Sequence, residues 1–146
     1  MNEHSFVRSI HRVLPSSVYR WKIHDTFTGG VPDTLYAGQN VLLWVEYKWV
    51  TLPKRQNTLV KFGISKLQLS WLDRFTLYGQ PVIVAVGHAN GVLILADGAW
   101  HRKFTCADVQ KFSVTKPVFI DGISSAIQEG DVEKCMRKAV RAATKN

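Results

Sequence analysis

Cysteine is nearly absent from this chain, which contains two in 146 residues. Cys106 and Cys135 are far apart, and neither has a histidine or a second cysteine at metal-ligand spacing. The pattern therefore excludes a zinc module. Two isolated cysteines indicate reduced thiols and a cytoplasmic protein, with a single disulfide as the alternative.

Long apolar runs are also missing, since no stretch approaches the roughly 18 residues that a membrane-spanning helix needs. The opening residues, MNEHSFVRSIHR, interrupt their apolar positions with charges, which is not the pattern of a signal peptide. Hydrophobic residues nevertheless make up 46% of the chain. We therefore expect one folded domain with a single core and no membrane partner.

Acidic residues are scarce relative to basic ones. The chain has 11 Asp and Glu and 19 Lys and Arg, which gives a formal net charge of +8 and a pI near 9.7. A surplus of this size in a small domain favours a polyanionic partner, most often nucleic acid. The alternative is a basic surface without a function.

Hydrophobic periodicity predicts an α/β fold over residues 1–100. The predicted order is helix, three strands, helix and two strands, and the most apolar strand begins at Val41 (VLLWVEYKWV). Caps and turns set the element ends. The predicted helices are residues 2–14 and 65–78, and the predicted strands are residues 18–24, 34–37, 41–50, 81–86 and 92–96.

The remainder, residues 101–146, has weaker patterns and is predicted to be a C-terminal extension. Within it, residues 131–144 have an apolar face and a basic face, which is typical of an amphipathic helix. The extension belongs to the same domain or forms a separate DNA-binding or dimer element. The basic residues of this helix are Lys134, Arg137, Lys138 and Arg141.

Two charged residues interrupt the apolar strand. Glu46 and Lys48 are separated by one residue, so both lie on the same face of the strand. Charges on such a strand are costly to bury unpaired. An ordinary ion pair would explain them.

Asp33 adds a second carboxylate that a hairpin would bring close to Glu46. It follows Pro32 at the start of a strand that a tight turn joins to the strand of Glu46, so a hairpin would bring the two carboxylates together. Two adjacent carboxylates repel each other and favour a bound cation. Oxygen ligands suit Mg²⁺, and a neighbouring lysine would help to hydrolyse a phosphodiester.

These residues resemble the PD-(D/E)XK nuclease superfamily. The matching segments are GVPD, which ends at Asp33, EYK from Glu46 to Lys48, and Gln68 in the next helix, ahead of a hydrophobic strand. The resemblance is greatest to the small phage-type branch, which includes Holliday-junction-resolvase-like, VRR-type and homing enzymes. It implies a restriction-endonuclease-like core, with a mixed sheet of about five strands flanked by helices. It also implies that the protein works in the cytoplasm of a bacterium or a phage-infected cell.

The resemblance also assigns roles to residues of this chain. Asp33 and Glu46 would bind Mg²⁺, which Mn²⁺ would replace, with the backbone carbonyl of Tyr47 nearby. Lys48 would be the catalytic lysine. Gln68 would contact the scissile phosphate or the attacking water, and Glu3 on the first helix would lie near the metal, unless it only caps that helix or is exposed.

Basic residues in three places are candidates for DNA contacts, with solvated charges as the alternative. The first group follows the motif strand, the second follows Trp100 (itself a candidate for stacking on bases), and the third lies on the last helix. In chain order these residues are Lys54, Arg55, Lys61, Lys66, Arg102, Lys103, Arg137, Lys138 and Arg141.

The sequence therefore predicts a Mg²⁺-dependent DNA endonuclease that works by in-line attack of an activated water. Because a domain of this size has one site and two strands require two, a homodimer or higher homo-oligomer is expected. The enzyme would be site-specific, as in homing, or selective for junctions and branches. The alternatives are an inactive nucleic-acid-binding module and an α/β domain that binds RNA or protein and uses Glu46–Lys48 only as a structural pair.

Overall fold

The computed structural model describes residues 1–25 and 27–144. These residues form a five-stranded sheet flanked by five α-helices. The strands are β1 (Tyr19–Lys22), β2 (Thr34–Ala37), β3 (Leu42–Trp49), β4 (Val82–His88) and β5 (Gly91–Leu95). The helices are α1 (Glu3–Val13), α2 (Lys66–Leu77), α3 (Cys106–Phe112), α4 (Lys116–Glu129) and α5 (Val132–Thr144), and a 3₁₀ turn spans Ala99–His101.

The sheet is mixed, and its strands are neighbours in chain order, β1-β2-β3-β4-β5. Strands β1, β2 and β3 form an antiparallel meander, β4 runs parallel to β3, and β5 returns antiparallel to β4. The helix α2 makes the crossover between the two parallel strands, as such a connection requires. The predicted α/β architecture and its element order over residues 1–100 are confirmed.

Strand β3 separates two hydrophobic clusters because its side chains alternate between the faces of the sheet. Leu43, Val45 and Tyr47 lie in a cluster with residues of α1 and α4. Trp44 packs at the edge of the other cluster, which α2 and α3 cover. Glu46 and Lys48 lie on the Trp44 face, so their charges project from the middle of a buried strand.

Both helices near the motif begin with a reciprocal cap. Ser65 accepts a hydrogen bond from the backbone N–H of Gln68, and the Gln68 side chain accepts one from the backbone of Ser65. Asn2 and Ser5 make the same arrangement at the start of α1. These caps set the positions at which Glu3 and Gln68 enter their helices.

The chain after residue 100 is more regular than the sequence predicts. Residues 101–130 have no predicted element, yet they contain α3 and α4. Thr115 caps α4, which ends at Gly130 in the left-handed conformation. Phe119 and Ile123 of α4 are buried in the cluster of α1, and Phe104 is buried in the other cluster. The segment after residue 100 therefore packs on both faces of the sheet.

Within the described ranges, none of the helices has the length and apolar character needed to cross a bilayer.

Candidate functional site

Asp33 and Glu46 face each other across the β2–β3 hairpin. The strands pair Thr34 with Val45, and the same register continued by one residue sets Asp33 opposite Glu46. The Tyr47 backbone N–H donates to Oδ2 of Asp33 at 3.1 Å. The hairpin therefore holds two carboxyl groups on one face of the sheet.

Glu46 is the most buried charged residue of this site, with 1% of its surface exposed. Its Oε1 accepts a hydrogen bond from Nε2 of Gln68 at 2.6 Å and lies 3.2 Å from Nζ of Lys48. Its Oε2 is buried and has no hydrogen-bond partner among the described residues. Burial, followed by repulsion from Asp33, raises the pKa of Glu46 to about 8.

Lys48 compensates this pair only in part. Its side chain is 12% exposed and contacts the same Glu46 oxygen that Gln68 binds. Burial raises the pKa of Asp33 even though the Tyr47 N–H and the charge of Lys48 act to lower it. Both carboxyl groups therefore remain short of positive charge, which is the condition that a bound cation corrects.

Gln68 reaches Glu46 because the loop before β2 packs tightly against the start of α2. Gly30 has φ of +87°, and a Cβ there would lie 2.3 Å from the backbone oxygen of Leu67. Only glycine permits this approach. The GVPD segment and the first turn of α2 thus lock Asp33 and Gln68 on either side of Glu46.

Glu3 lies at the same end of the sheet, in the first turn of α1. It is half-buried, and burial raises its pKa, while Lys48 lowers that pKa and Asp33 raises it further. In residues 1–25 and 27–144, however, no three His, Cys, Asp or Glu side chains converge closely enough to hold a metal ion. The acidic pair across the hairpin is Asp33 and Glu46, and Glu3 lies close enough to raise the pKa of Glu46.

This acidic pair fits a hard divalent cation. Carboxylate oxygens are the ligands that Mg²⁺ takes, and Mg²⁺ keeps several waters when few protein ligands are available. Among the described residues, Oε2 of Glu46 is a buried acceptor without a hydrogen bond, as is the Thr34 hydroxyl, and such atoms are rare in proteins.

Two groups of predicted DNA-contact residues come together although they are distant in sequence. Leu59 forms an antiparallel bridge with Thr105, and the Val60 N–H donates to the Phe104 carbonyl at 2.9 Å. This bridge joins the loop after β3 to the segment after the 3₁₀ turn. The exposed basic residues on the two segments are Lys54, Arg55, Lys61, Lys66, Arg102 and Lys103.

The basic residues of α5 lie elsewhere. Arg137 pairs with Glu133 and lines a cavity of about 640 Å³ with Val41 and Pro81, at the starts of β3 and β4. Lys48 is seven residues beyond Val41, roughly 20 Å along an extended strand. Lys138 is exposed, and the side chain of Arg141 lies outside the described residues. The structure does not bring Arg137 to the acidic pair.

Trp100 corrects one expectation. A tryptophan that stacks on bases must be accessible, but Trp100 is 5% exposed and packs under α2. Its Nε1 donates to Oδ1 of Asp73 at 2.8 Å, and that carboxylate also contacts His101. Trp100 therefore anchors the 3₁₀ turn to α2.

Lys22, which ends β1 beside Thr34, is not among the predicted site residues. Lys22 is close enough to Glu3 and to Asp33 to lower the pKa of each. Its only sequence signal is a polar position in an alternating strand, because its neighbours come from α1 and β2.

Comparisons with known proteins are sparse. No protein-family model matches the chain, and no curated protein matches it. Among solved structures it is similar to Hjc, a Holliday junction resolvase from the archaeal hyperthermophile Archaeoglobus fulgidus. The TM-score is 0.40 at 13% sequence identity, and the match covers 74% of this chain and 99% of the other.

Proposed function

We propose that this chain is a divalent-metal-dependent DNA nuclease of the PD-(D/E)XK type. The observation that carries the proposal is the state of Glu46, which is buried opposite Asp33 and keeps one oxygen without a partner among the described residues. A purely structural ion pair with Lys48 would not require a second carboxylate beside it. A cation site requires both.

Asp33 and Glu46 are the residues that would hold the cation, with the carbonyl of Tyr47 beside them. Mg²⁺ is the proposed ion, with Mn²⁺ as a substitute. When bound, it would activate a water and offset the negative charge of the phosphate undergoing attack.

The remaining side chains of the site would orient Glu46 and adjust the charge around it. Gln68 holds Oε1 of Glu46 through its amide, which leaves Oε2 free to bind the cation. Lys48 places an ammonium 3.2 Å from the same carboxylate, where it steadies the attacking water and stabilises charge that develops on the phosphate. Glu3 adds negative charge at the rim of the site.

The proposed substrate is DNA, bound by the exposed basic residues of the two bridged segments. Contacts of this kind bind phosphates without regard to sequence. The enzyme would work in the cytoplasm as a homodimer, which supplies one site for each strand. Site-specific cleavage, as in homing, and structure-selective cleavage, as at a Holliday junction, are both within this proposal.

Nicking of supercoiled plasmid tests the proposal. We expect the wild-type protein to nick the plasmid in Mg²⁺ and not in EDTA, and Lys48→Ala to be inactive. Lys111→Ala is the matched control, because Lys111 is an exposed lysine of α3 and should leave the rate unchanged. Equal nicking by wild type and Lys48→Ala would contradict the assignment.

The two kinds of substrate can be separated with the same proteins. A structure-selective enzyme should cut a four-way junction and spare a linear duplex of the same sequence composition. A site-specific enzyme should instead cut one position in a library of duplexes and treat the junction arms as ordinary DNA.

A further inference from the structure

Lys22 and Arg20 lie on the same face of β1, but their surroundings differ. The guanidinium of Arg20 donates to backbone carbonyls at the end of α1, those of His11, Leu14 and Pro15. Arg20 is thereby occupied in capping a helix. Lys22 has no carboxylate within ion-pair distance in the described parts of the chain.

Among the described residues, the polar side chain within hydrogen-bond distance of the Lys22 ammonium is His4, whose Nδ1 lies 3.4 Å from Nζ. The other ring nitrogen, Nε2, lies 2.9 Å from Nη2 of Arg8. A neutral imidazole has a single acceptor nitrogen, and a protonated one has none. The shorter contact to Arg8 therefore uses whatever acceptor His4 has.

Lys22 is consequently an ammonium without an acceptor among the described side chains. It is half-buried and lies near the carboxyl groups of Glu3 and Asp33, but among the described residues it forms no ion pair with either. Such an ammonium is hydrated in the free protein and can exchange that water for a phosphate oxygen. It also ends the strand that hydrogen-bonds to Asp33, since the Ile23 N–H donates to the Asp33 carbonyl at 2.7 Å.

We propose that Lys22 binds a DNA phosphate next to the phosphate that is cleaved, on the α1 side of the acidic pair. The inference rests on the proposed nuclease function, since it requires DNA at Asp33 and Glu46. Lys48 and Lys22 would then contact neighbouring phosphates from β3 and from β1.

Binding of a fluorescein-labelled DNA duplex in EDTA tests this assignment without any turnover. Removal of one lysine–phosphate contact should reduce the slope of log affinity against log salt by about 0.9. We expect that reduction for Lys22→Gln and no change for Lys111→Gln, which removes the same charge from α3 at the opposite edge of the sheet. Lys22→Arg, which keeps the charge, should restore the wild-type slope and show that the fold is intact.

The outcomes separate the two proposals. A reduced slope for Lys22→Gln that Lys22→Arg restores supports the phosphate contact. Equal slopes for wild type and Lys22→Gln would overturn it, while the nuclease function would stand if Lys48→Ala still abolished nicking. If wild type in Mg²⁺ cut neither plasmid, four-way junction nor duplex library, the nuclease function would be overturned, while the salt slopes would still decide the phosphate contact by themselves.

Discussion

The tyrosine network on the α1 face of β3 and the Glu46 carboxyl on the other face differ in how their buried polar atoms are paired. On the α1 face, the Tyr47 hydroxyl lies 2.5 Å from that of Tyr36, which lies 2.8 Å from Nε2 of His11. This chain of hydrogen bonds runs from the core to a partly exposed imidazole. On the other face, Glu46 is equally buried but retains an oxygen with no partner in the described structure.

The difference distinguishes a structural network from a binding site. The tyrosine network is complete, since the hydroxyls of Tyr36 and Tyr47 each have a partner, although the buried Thr34 hydroxyl on the same face has none among the described residues. An unsatisfied buried carboxylate is unfavourable until a ligand reaches it, and its raised pKa records that cost. Perturbation of the α1 face should therefore affect stability, and perturbation of the Glu46 face should affect activity.

The largest expected effect is the loss of cleavage in Glu46→Gln and in Asp33→Asn. Each change removes one of the two charges that would hold the cation and keeps the shape of the side chain. DNA binding should persist or tighten, because less negative charge then faces the phosphates. Plasmid nicking in Mg²⁺ and duplex binding in Ca²⁺, which takes the same oxygen ligands, measure the two effects.

The matched control for these variants is Asp121→Asn, which makes the same change at an exposed position of α4. It should cut at the wild-type rate. Near wild-type cleavage by either site variant would show that the acidic pair does not bind the metal.

A second effect is a pH dependence of stability in the metal-free protein. Glu46 has a pKa of about 8 when folded and an ordinary value of 4.5, so the folded state holds the proton more tightly. Stability from this group is therefore present below pH 4.5 and is lost as the pH rises through 8, by at most about 1.4 kcal/mol per pH unit.

Urea unfolding between pH 6.5 and 8 in EDTA measures this slope. Burial lowers the pKa of His11 from its ordinary value of 6.5 to about 4, so this group makes the folded protein more stable as the pH rises from 4 to 6.5. Above pH 6.5 its contribution is constant and does not affect the measured slope. Glu46→Gln should abolish the fall in stability across the chosen window. Added Mg²⁺ should stabilise the wild type more at pH 8 than at pH 6.5, because protons and the cation compete for Glu46. An identical pH slope in the variant would show that Glu46 is not the group responsible.

The smallest effect is expected on the α1 face. Tyr36→Phe leaves the Tyr47 hydroxyl buried without its partner, which should cost about 1–3 kcal/mol of unfolding free energy. The nicking rate should not change at temperatures where the variant is folded. Tyr78→Phe removes a hydroxyl at a residue that is 63% exposed and should alter neither quantity. A large loss of rate in folded Tyr36→Phe would mean that the two faces are coupled.

The sequence predicts most of the core because its signals are local. The apolar run after Val41 gives β3, Ser65 and Gly79 bound α2, and the short connection between β2 and β3 leads to the pairing of Asp33 with Glu46. The position of Gln68 near the site is expected only from the family resemblance. Its physical origin, the close approach at Gly30, requires the tertiary structure.

The features that the sequence does not predict depend on distant contacts. The helix α3 has only seven residues, and α4 has buried residues on a broad face with serine and glycine between them. Neither gives a clear period. Lys22 and Trp100 likewise owe their positions to neighbours on other elements. The basic residues next to Trp100 in sequence predict an exposed tryptophan, whereas the tertiary structure buries it.

The contact between Tyr47 and α4 has a consequence for the time at which the site is completed. The Phe119 ring packs edge-on against the Tyr47 ring, with 6.3 Å between the ring centroids. The backbone N–H of Tyr47 in turn donates a hydrogen bond to the Asp33 carboxylate. A nascent chain that has emerged only as far as α2 carries every predicted catalytic side chain but lacks this support. Because synthesis proceeds from the N-terminus, both β4, the parallel partner of β3, and α4 must emerge before the proposed site has its full support.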